Sequence, residues 1–310
     1  MASLNRPPLT AIKFDDDDGK HIRIYYQSPD GDIKEAPYDQ HSGWSSRPEN
    51  IVGCGKLNTD IGATCWANGA QIRVYFLNEE GRIIETDGRM TGKYHAAPYS
   101  RLGAVNYQNG KHIRVYYQDT SNKLREAIYR SNRGWTEGTS TLPVALPGTT
   151  LATATNPNDN GQLWVYFQTN ELELQEYWYK PSPFLDLVDI SYAIRYNAST
   201  PGFHRGDFRT DKIYLPGAPI SAAMWNDPVK IRVLTVDETN KLCVTAWDGG
   251  WAPTQELTES AAVSDLALIS VAGSTEPPSP LRLYFRNSDA GITEFASQDG
   301  TNWSEDTIAL

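Results

Sequence analysis

His21–Ala36 reads HIRIYYQSPDGDIKEA, and the chain repeats it as QIRVYFLNEEGRIIET from Gln71 and HIRVYYQDTSNKLREA from His112. Weaker copies begin at Gln162 (QLWVYFQTNELELQEY), Lys230 (KIRVLTVDETNKLCVT) and Pro280 (PLRLYFRNSDAGITEF). These six copies cover nearly the whole 310-residue chain. Repetition on this scale means a repeat architecture, in which each unit buries its faces against its neighbours.

Every copy has the same internal order. A short apolar stretch (LTAIKF, IGATCW, LGAVNY, LATAT, ISAAMW, LALISV) precedes the IRVYYQ segment. A turn with Gly, Asn or Asp follows, then an LREA segment, and most copies close on a GW pair. Period-two alternation with β-branched and aromatic residues marks strands, and the turn residues mark hairpins. No long amphipathic helix is visible. Four strands in each of six repeats predict an all-β, single-domain, six-bladed β-propeller over 1–310. The expected blades are 8–53, 54–98, 99–143, 144–190, 217–260 and 261–310. Counted at Arg23, Arg73, Arg114, Trp164, Arg232 and Arg282, the steps are 50, 41, 50, 68 and 50 residues. The long step places an aromatic-rich insertion at about 181–219, expected between blades 4 and 5.

The net charge of −10 argues against nucleic acid and against an anionic membrane surface as partners. No apolar run is long enough to span a membrane. The N-terminus, MASLNRPPLT, has no apolar core of a signal peptide, so a cytoplasmic or non-classically secreted protein is expected. Cys54, Cys65 and Cys243 have no metal-ligand spacing and read as free thiols. Asn197 and Asn302 open sequons that matter only on secretion. The run Asp15–Asp18 reads as a solvated turn and His21 and His112 as strand-edge residues; His204 is the histidine in the insertion. No phosphate loop, metal site or nucleophile motif is present, and no cofactor is expected.

The charged residues inside the repeat carry more information. Glu35 follows Arg23 by twelve positions, and the pairs Arg73/Glu85, Arg114/Glu126 and Arg282/Glu294 keep that spacing. A hairpin folds it back and brings Arg and Glu together on one face. An exposed cross-strand ion pair contributes only ~0–1 kcal/mol, which gives no reason for apolar residues to be so rare there. A site for a polyol does. Arg supplies a planar fork of donors, Glu accepts from hydroxyls, and a sugar's C–H face stacks on an aromatic ring. The aromatics are present. Three positions after the Glu stand Tyr38, Gly88, Tyr129, Tyr179 and Ser297. About nine positions after it stand Trp44, Tyr94, Trp135 and Trp303, and the fifth copy has Trp247 and Trp251.

The IRVYYQ…LREA…GW phrase, in six copies over the whole chain, resembles the fungal fucose-specific lectin family. The resemblance implies fucose seated between neighbouring blades, with Arg and Glu from one blade, two aromatics from the next, and a small apolar pocket for the sugar's methyl group. Carried over, it implies two complete sites: Arg73, Glu85, Tyr129 and Trp135 between blades 2 and 3, and Arg282, Glu294, Tyr38 and Trp44 between blades 6 and 1. Between blades 1 and 2 stand Arg23, Glu35 and Tyr94, with Gly88 in place of one aromatic. Between blades 3 and 4 stand Arg114, Glu126 and Tyr179, with no matching Trp. Between blades 4 and 5 Trp164 replaces the Arg, while Glu176, Trp247 and Trp251 remain. Between blades 5 and 6 Arg232 remains, but Val244 and Ser297 replace the Glu and an aromatic.

The leading expectation is therefore a multivalent, non-catalytic lectin for fucosylated glycans; a homodimer is left open. The alternative is a cofactor-independent hetero-Diels–Alderase on the same scaffold, similar to lectin-like pericyclases of fungal natural-product biosynthesis. It would bind a small apolar natural product near the insertion, with Trp164, Glu176, Trp247 and Trp251 as its site.

Overall fold

The computed structural model describes residues 7–308 apart from 46–49, 91–92, 139–141, 157–160, 182–201, 226–228, 260–264, 271–280, 287–290 and 299. Each repeated phrase folds as an antiparallel hairpin. Its register places Tyr25 opposite Glu35, Tyr75 opposite Glu85, Tyr116 opposite Glu126, Tyr166 opposite Glu176 and Tyr284 opposite Glu294. The connecting turn needs one left-handed residue. Gly31, Gly81, Asn122 and Asn240 supply it, residue types that reach positive φ at little cost, and Leu172 takes the same place at φ 65°.

Blade 1 contains β1 (Leu9–Asp16), β2 (Gly19–Gln27), β3 (Asp32–Asp39) and β4 (Gly43–Trp44), with β5 (Asn50–Cys54) also paired to β3. Blade 2 has three strands, β6 (Gly62–Trp66), β7 (Gln71–Leu77) and β8 (Ile83–Glu85). Blade 3 contains β9 (Gly103–Tyr107), β10 (His112–Gln118), β11 (Leu124–Arg130) and β12 (Gly134–Glu137). Blade 4 contains β13 (Ala152–Thr155), β14 (Leu163–Gln168), β15 (Leu174–Lys180) and β16 (Gly202–Arg205). Blade 5 contains β17 (Ile220–Trp225), β18 (Lys230–Val236), β19 (Lys241–Trp247) and β20 (Gln255–Glu259). Blade 6 contains β21 (Ala267–Ser270), β22 (Leu281–Arg286), β23 (Ile292–Ser297) and β24 (Trp303–Ile308). The described residues form no helix, hence none long and apolar enough to cross a membrane.

Two features differ from the sequence reading. Blade 2 has no fourth strand among the described residues, which accounts for the short 41-residue step. The insertion does not separate blades 4 and 5. β16 pairs with β15, so the long connection lies inside the fourth blade, before its last strand, and blade 4 extends beyond residue 190. Most of that connection, 182–201, is outside the described residues.

The first strands of the blades meet their neighbours around the ring, and β21 meets β1, which closes it. The Asp265 amide donates to the Pro7 carbonyl at 3.2 Å across that closure. The core follows from this geometry as six apolar clusters, one per interface. Tyr25, Ile33, Val74 and Phe76 fill the first, and Leu234, Val244, Leu283 and Phe295 fill the fifth. Full burial of one such side chain stabilises by about 1.5–3 kcal/mol. In blades 1, 3 and 4 the glutamine of IRVYYQ ties the blade to the linker beyond it. Gln118 donates to the Leu146 carbonyl at 3.0 Å and accepts from the Gly148 amide at 2.8 Å. Gln27 and Gln168 make the corresponding pairs with Lys56 and Asn58 and with Leu215 and Gly217. At the axis Arg101 bridges Asp265 at 2.9 Å and Asp60 at 3.5 Å, joining blades 2, 3 and 6.

Candidate functional site

The hairpin register decides what each glutamate touches first. Glu stands directly across from the Tyr two residues after the Arg, and diagonally from the Arg itself. Tyr25 donates to Glu35 at 2.7 Å, Tyr75 to Glu85 at 2.9 Å and Tyr166 to Glu176 at 2.8 Å. The Arg-to-Glu distance varies: 4.0 Å for Arg23/Glu35, 3.7 Å for Arg73/Glu85 and 2.6 Å for Arg114/Glu126, with Arg282 and Glu294 also paired. Two arginines are held instead by an aspartate at the far end of the hairpin. Arg23 meets Asp39 at 2.9 Å and Arg73 meets Asp87 at 2.7 Å. An aromatic ring of the blade's first strand lies near each of these guanidiniums, Phe14 at 5.2 Å and Trp66 at 5.1 Å. Sequence comparison missed both the tyrosine and the aspartate. The tyrosine was legible as the first Y of IRVYY, kept in five of the six copies. The aspartate was not, because it stands sixteen positions after Arg23 and Arg232 but fourteen after Arg73.

Between blades 2 and 3 the structure brings Arg73, Glu85, Tyr129 and Trp135 to one cavity of about 260 Å³, with Trp66 and Ile113 also on its wall. Tyr129 pairs with Trp135 across β11 and β12, ring centres 5.5 Å apart, and Trp135 meets Tyr75 of blade 2 edge-on at 6.0 Å. The arrangement recurs between blades 6 and 1. Tyr38 pairs with Trp44 at 5.3 Å, and Trp44 meets Tyr284 at 5.9 Å, beside the Arg282–Glu294 pair.

The other interfaces depart from this pattern in different ways. Tyr94 does not reach the first interface. It lies buried in the blade 2/3 cluster, 6.5 Å from Trp135, and its carbonyl accepts from the Ile83 amide. Counting nine residues from Glu85 runs through the shortened part of blade 2, so Arg23 and Glu35 have no Tyr94 wall. Between blades 3 and 4 the absent Trp has a substitute that sequence counting missed. Phe203 on β16 pairs with Tyr179, 5.2 Å away, and meets Tyr116 at 6.1 Å. Here Arg114 and Glu126 are 1% and 3% exposed, with Tyr179 3.9 Å from the guanidinium carbon, so the clamp is covered.

Between blades 5 and 6 Leu234 and Val244 replace the Tyr and the Glu together, and both join the apolar cluster. Arg232 bonds to Asp248 at 2.9 and 3.1 Å and to the Gly300 carbonyl of blade 6 at 3.0 Å. With a further bond to the Ile231 carbonyl, most of its donors are occupied within the protein. Arg232→Ala is therefore expected to leave fucose binding unchanged within twofold by calorimetric titration, although it removes a buried charge.

Between blades 4 and 5 Trp164, Glu176, Trp247 and Trp251 line one cavity of about 400 Å³, joined by Trp178, Arg205 and Asp207. Among the described residues no group of His, Cys, Asp and Glu is arranged to hold a metal ion. Asp16 of the acidic run caps its own turn, and His21 bridges Asp16 at 2.8 Å and Asp39 at 2.5 Å.

Two of the glutamates are shifted upward. Burial raises Glu85 from 4.5 to about 7, reinforced by Asp87 and opposed by the Tyr75 hydroxyl and Arg73. Burial likewise raises Glu176 to about 7, with Asp207 adding to it and the Tyr166 hydroxyl opposing. Each folded carboxyl thus holds a proton that the unfolded chain has released. Their contribution to stability is fully present below about pH 4.5 and is lost as pH rises through about 7. A Glu85→Gln/Glu176→Gln variant is expected to flatten this decline in chemical denaturation measured from pH 4.5 to 8.

Comparison with known proteins fits this geometry. The model of fungal fucose-specific lectins matches residues 17–310. The fucose-specific lectin of Aspergillus fumigatus is 31% identical over 287 residues, covering 86% of this chain and 84% of that protein. The SapL1 lectin, solved in complex with alpha methyl fucoside, is 27% identical with a TM-score of 0.73, over 100% of this chain and 99% of that one. The Aleuria aurantia lectin, a six-bladed β-propeller, is 20% identical with a TM-score of 0.77, over 98% and 96%, a likeness of fold. Six blades, inter-blade Arg/Glu clamps with aromatic walls, and a family match over nearly the entire length lead to one assignment: the chain belongs to the fungal fucose-specific lectin family.

Proposed function

We propose that the chain binds L-fucose on fucosylated glycans, with the 2/3 and 6/1 interfaces carrying most of the affinity. The observation that supports this most is the convergence of Arg73, Glu85, Tyr129 and Trp135 on a single cavity, with a counterpart at Arg282, Glu294, Tyr38 and Trp44. At about 260 Å³ the cavity lies below the ~300–1,000 Å³ of sites for drug-sized ligands, which suits a single sugar ring. Asp87 orients Arg73 and Tyr75 orients Glu85, so both are fixed before a ligand arrives, which lowers the ordering cost of binding. Glu85 Oε2 is buried and has no donor among the described residues. The 1/2 interface keeps Arg23 and Glu35 but lacks the aromatic wall, and is the weaker third site. Two or three sites on one ring give avidity on a multivalent glycan surface, typically ~10²–10⁴ beyond one site.

The test is calorimetric titration with L-fucose and with L-galactose, which differs by a hydroxyl on the methyl carbon. The reading expects about two sugar equivalents per chain and weaker binding of L-galactose. An absence of heat with L-fucose, or equal affinity for the two sugars, would sink it. A catalytic reading of the 4/5 cavity is less well supported. It wants an apolar chamber for two reactants, whereas Glu176, Arg205 and Asp207 all line this one.

A further inference from the structure

The 4/5 cavity is the largest of the two inter-blade cavities described above and the one whose electrostatics are inverted. In the other four interfaces that keep a glutamate, a guanidinium lies within 4.0 Å or in direct contact. Glu176 has none among the described residues, because Trp164 occupies the place of the arginine. The carboxyl is buried, held by the Tyr166 hydroxyl at 2.8 Å, and faces Trp164, Trp178, Trp247 and Trp251. Trp251 is fixed edge-on by Phe208 at 4.6 Å, and Trp178 stacks on His204 at 4.8 Å. Asp207 adds a second carboxylate at the rim. Arg205 also stands at the rim, but it is exposed and forms no ion pair with either acid.

A buried carboxyl that has lost its cation and is walled by four tryptophan rings presents negative potential from the acid, and a ring face turned to a ligand cation adds its quadrupole. Aromatic faces attract organic cations, Trp most strongly, and more so when water is excluded. We propose that this pocket binds an organic ammonium ion, a quaternary or alkylated amine whose positive head sits among the tryptophans against Glu176. The ligand would supply the charge that Trp164 removed. This inference stands apart from fucose binding, because it concerns an interface that has lost the arginine of the sugar clamp.

The pH dependence is part of the proposal. Glu176 faces Tyr166, Asp207 and Arg205, and His204 lies behind Trp178. Deprotonation of Glu176 as pH rises through about 7 creates the anion, so ammonium binding should strengthen from pH 6 to 8. The Glu176→Gln variant tests this dependence directly.

The experiment titrates the full chain with choline and with its neutral carbon isostere, 3,3-dimethyl-1-butanol. Choline is expected at a Kd of roughly 1 mM or tighter, at least about tenfold tighter than the isostere. Glu176→Gln should weaken choline by about tenfold and remove most of its pH dependence. Trp164→Arg, which restores the guanidinium of the other blades, should abolish choline binding while the L-fucose titration of the 2/3 and 6/1 interfaces is retained, which shows the variant is folded. Equal binding of choline and its isostere would replace the proposal with a simple apolar pocket. No choline binding by the unaltered protein, or choline binding unaffected by Glu176→Gln, would overturn it. A failure of L-fucose titration with choline binding intact would count against the lectin reading alone.

Discussion

Replacing Arg73 and Arg282 together with alanine is expected to abolish most L-fucose binding while leaving the propeller folded. In the proposed sites each arginine would supply charge-assisted hydrogen bonds to the sugar, at an interface with a complete aromatic wall. Leaving sugar hydroxyls unpartnered costs ~1–3 kcal/mol per group, so each site should weaken by about 10–100-fold. The structural cost is smaller, because Arg73 lines the 2/3 cavity and Arg282 is partly open to solvent. Arg282 is 33% exposed, and Asp87, which holds Arg73, is 23% exposed and can be rehydrated. The single variants should each remove about half of the calorimetric stoichiometry. An unchanged titration in the double variant would mean that sugar is bound elsewhere, with Arg23 and Glu35 the first place to look.

Arg114→Ala is expected to act in the opposite way, with a large loss of stability and little effect on fucose. Arg114 and Glu126 form a 2.6 Å pair at 1% and 3% exposure, sealed by Tyr179 and Phe203. Removing one partner of such a pair leaves an uncompensated buried charge, typically costing about 3–5 kcal/mol. Replacing both with apolar residues, Arg114→Met with Glu126→Leu, should recover most of that loss, since a buried pair is often no more stabilising than hydrophobic residues of similar volume. Blade 5 already carries the apolar version of the glutamate's surroundings in Leu234 and Val244. Denaturant unfolding decides the matter. A loss below about 1 kcal/mol for Arg114→Ala would show that the pair behaves as an exposed one.

The repeat made the propeller and most of the clamp legible because hairpin register converts a fixed spacing into a fixed neighbour. Arg73 and Glu85 meet Tyr129 and Trp135 because each blade copies the same pairing and leans on the next. Counting along the chain failed where the copies change length. Tyr94 has the right offset from Glu85 but belongs to a blade without a fourth strand, so its ring turns into the 2/3 cluster. Phe203 has the wrong offset from Glu176 because the long connection precedes it, yet β16 delivers it to the place Trp135 holds in blade 3. The covering of Arg114 was not legible either. It depends on how closely the Tyr179 ring of the next blade approaches, which no spacing within one repeat encodes. The glycines Gly138 and Gly206 show the same dependence on packing. A Cβ on either would come within 2.0 Å and 1.8 Å of Glu126 and Glu176, so the side chain of the clamp fills the space above the fourth strand.

The central claim is that one repeated clamp has become several unlike sites, of which two bind fucose well. The most direct measurement is a crystal structure of the full chain soaked in methyl α-L-fucoside. Sugar is expected between blades 2 and 3 and between blades 6 and 1, on Arg73 with Trp135 and on Arg282 with Trp44. None is expected between blades 5 and 6, where Arg232 is occupied by Asp248 and Gly300. Sugar at the 5/6 interface, or a 2/3 interface left empty at saturating ligand, would contradict it.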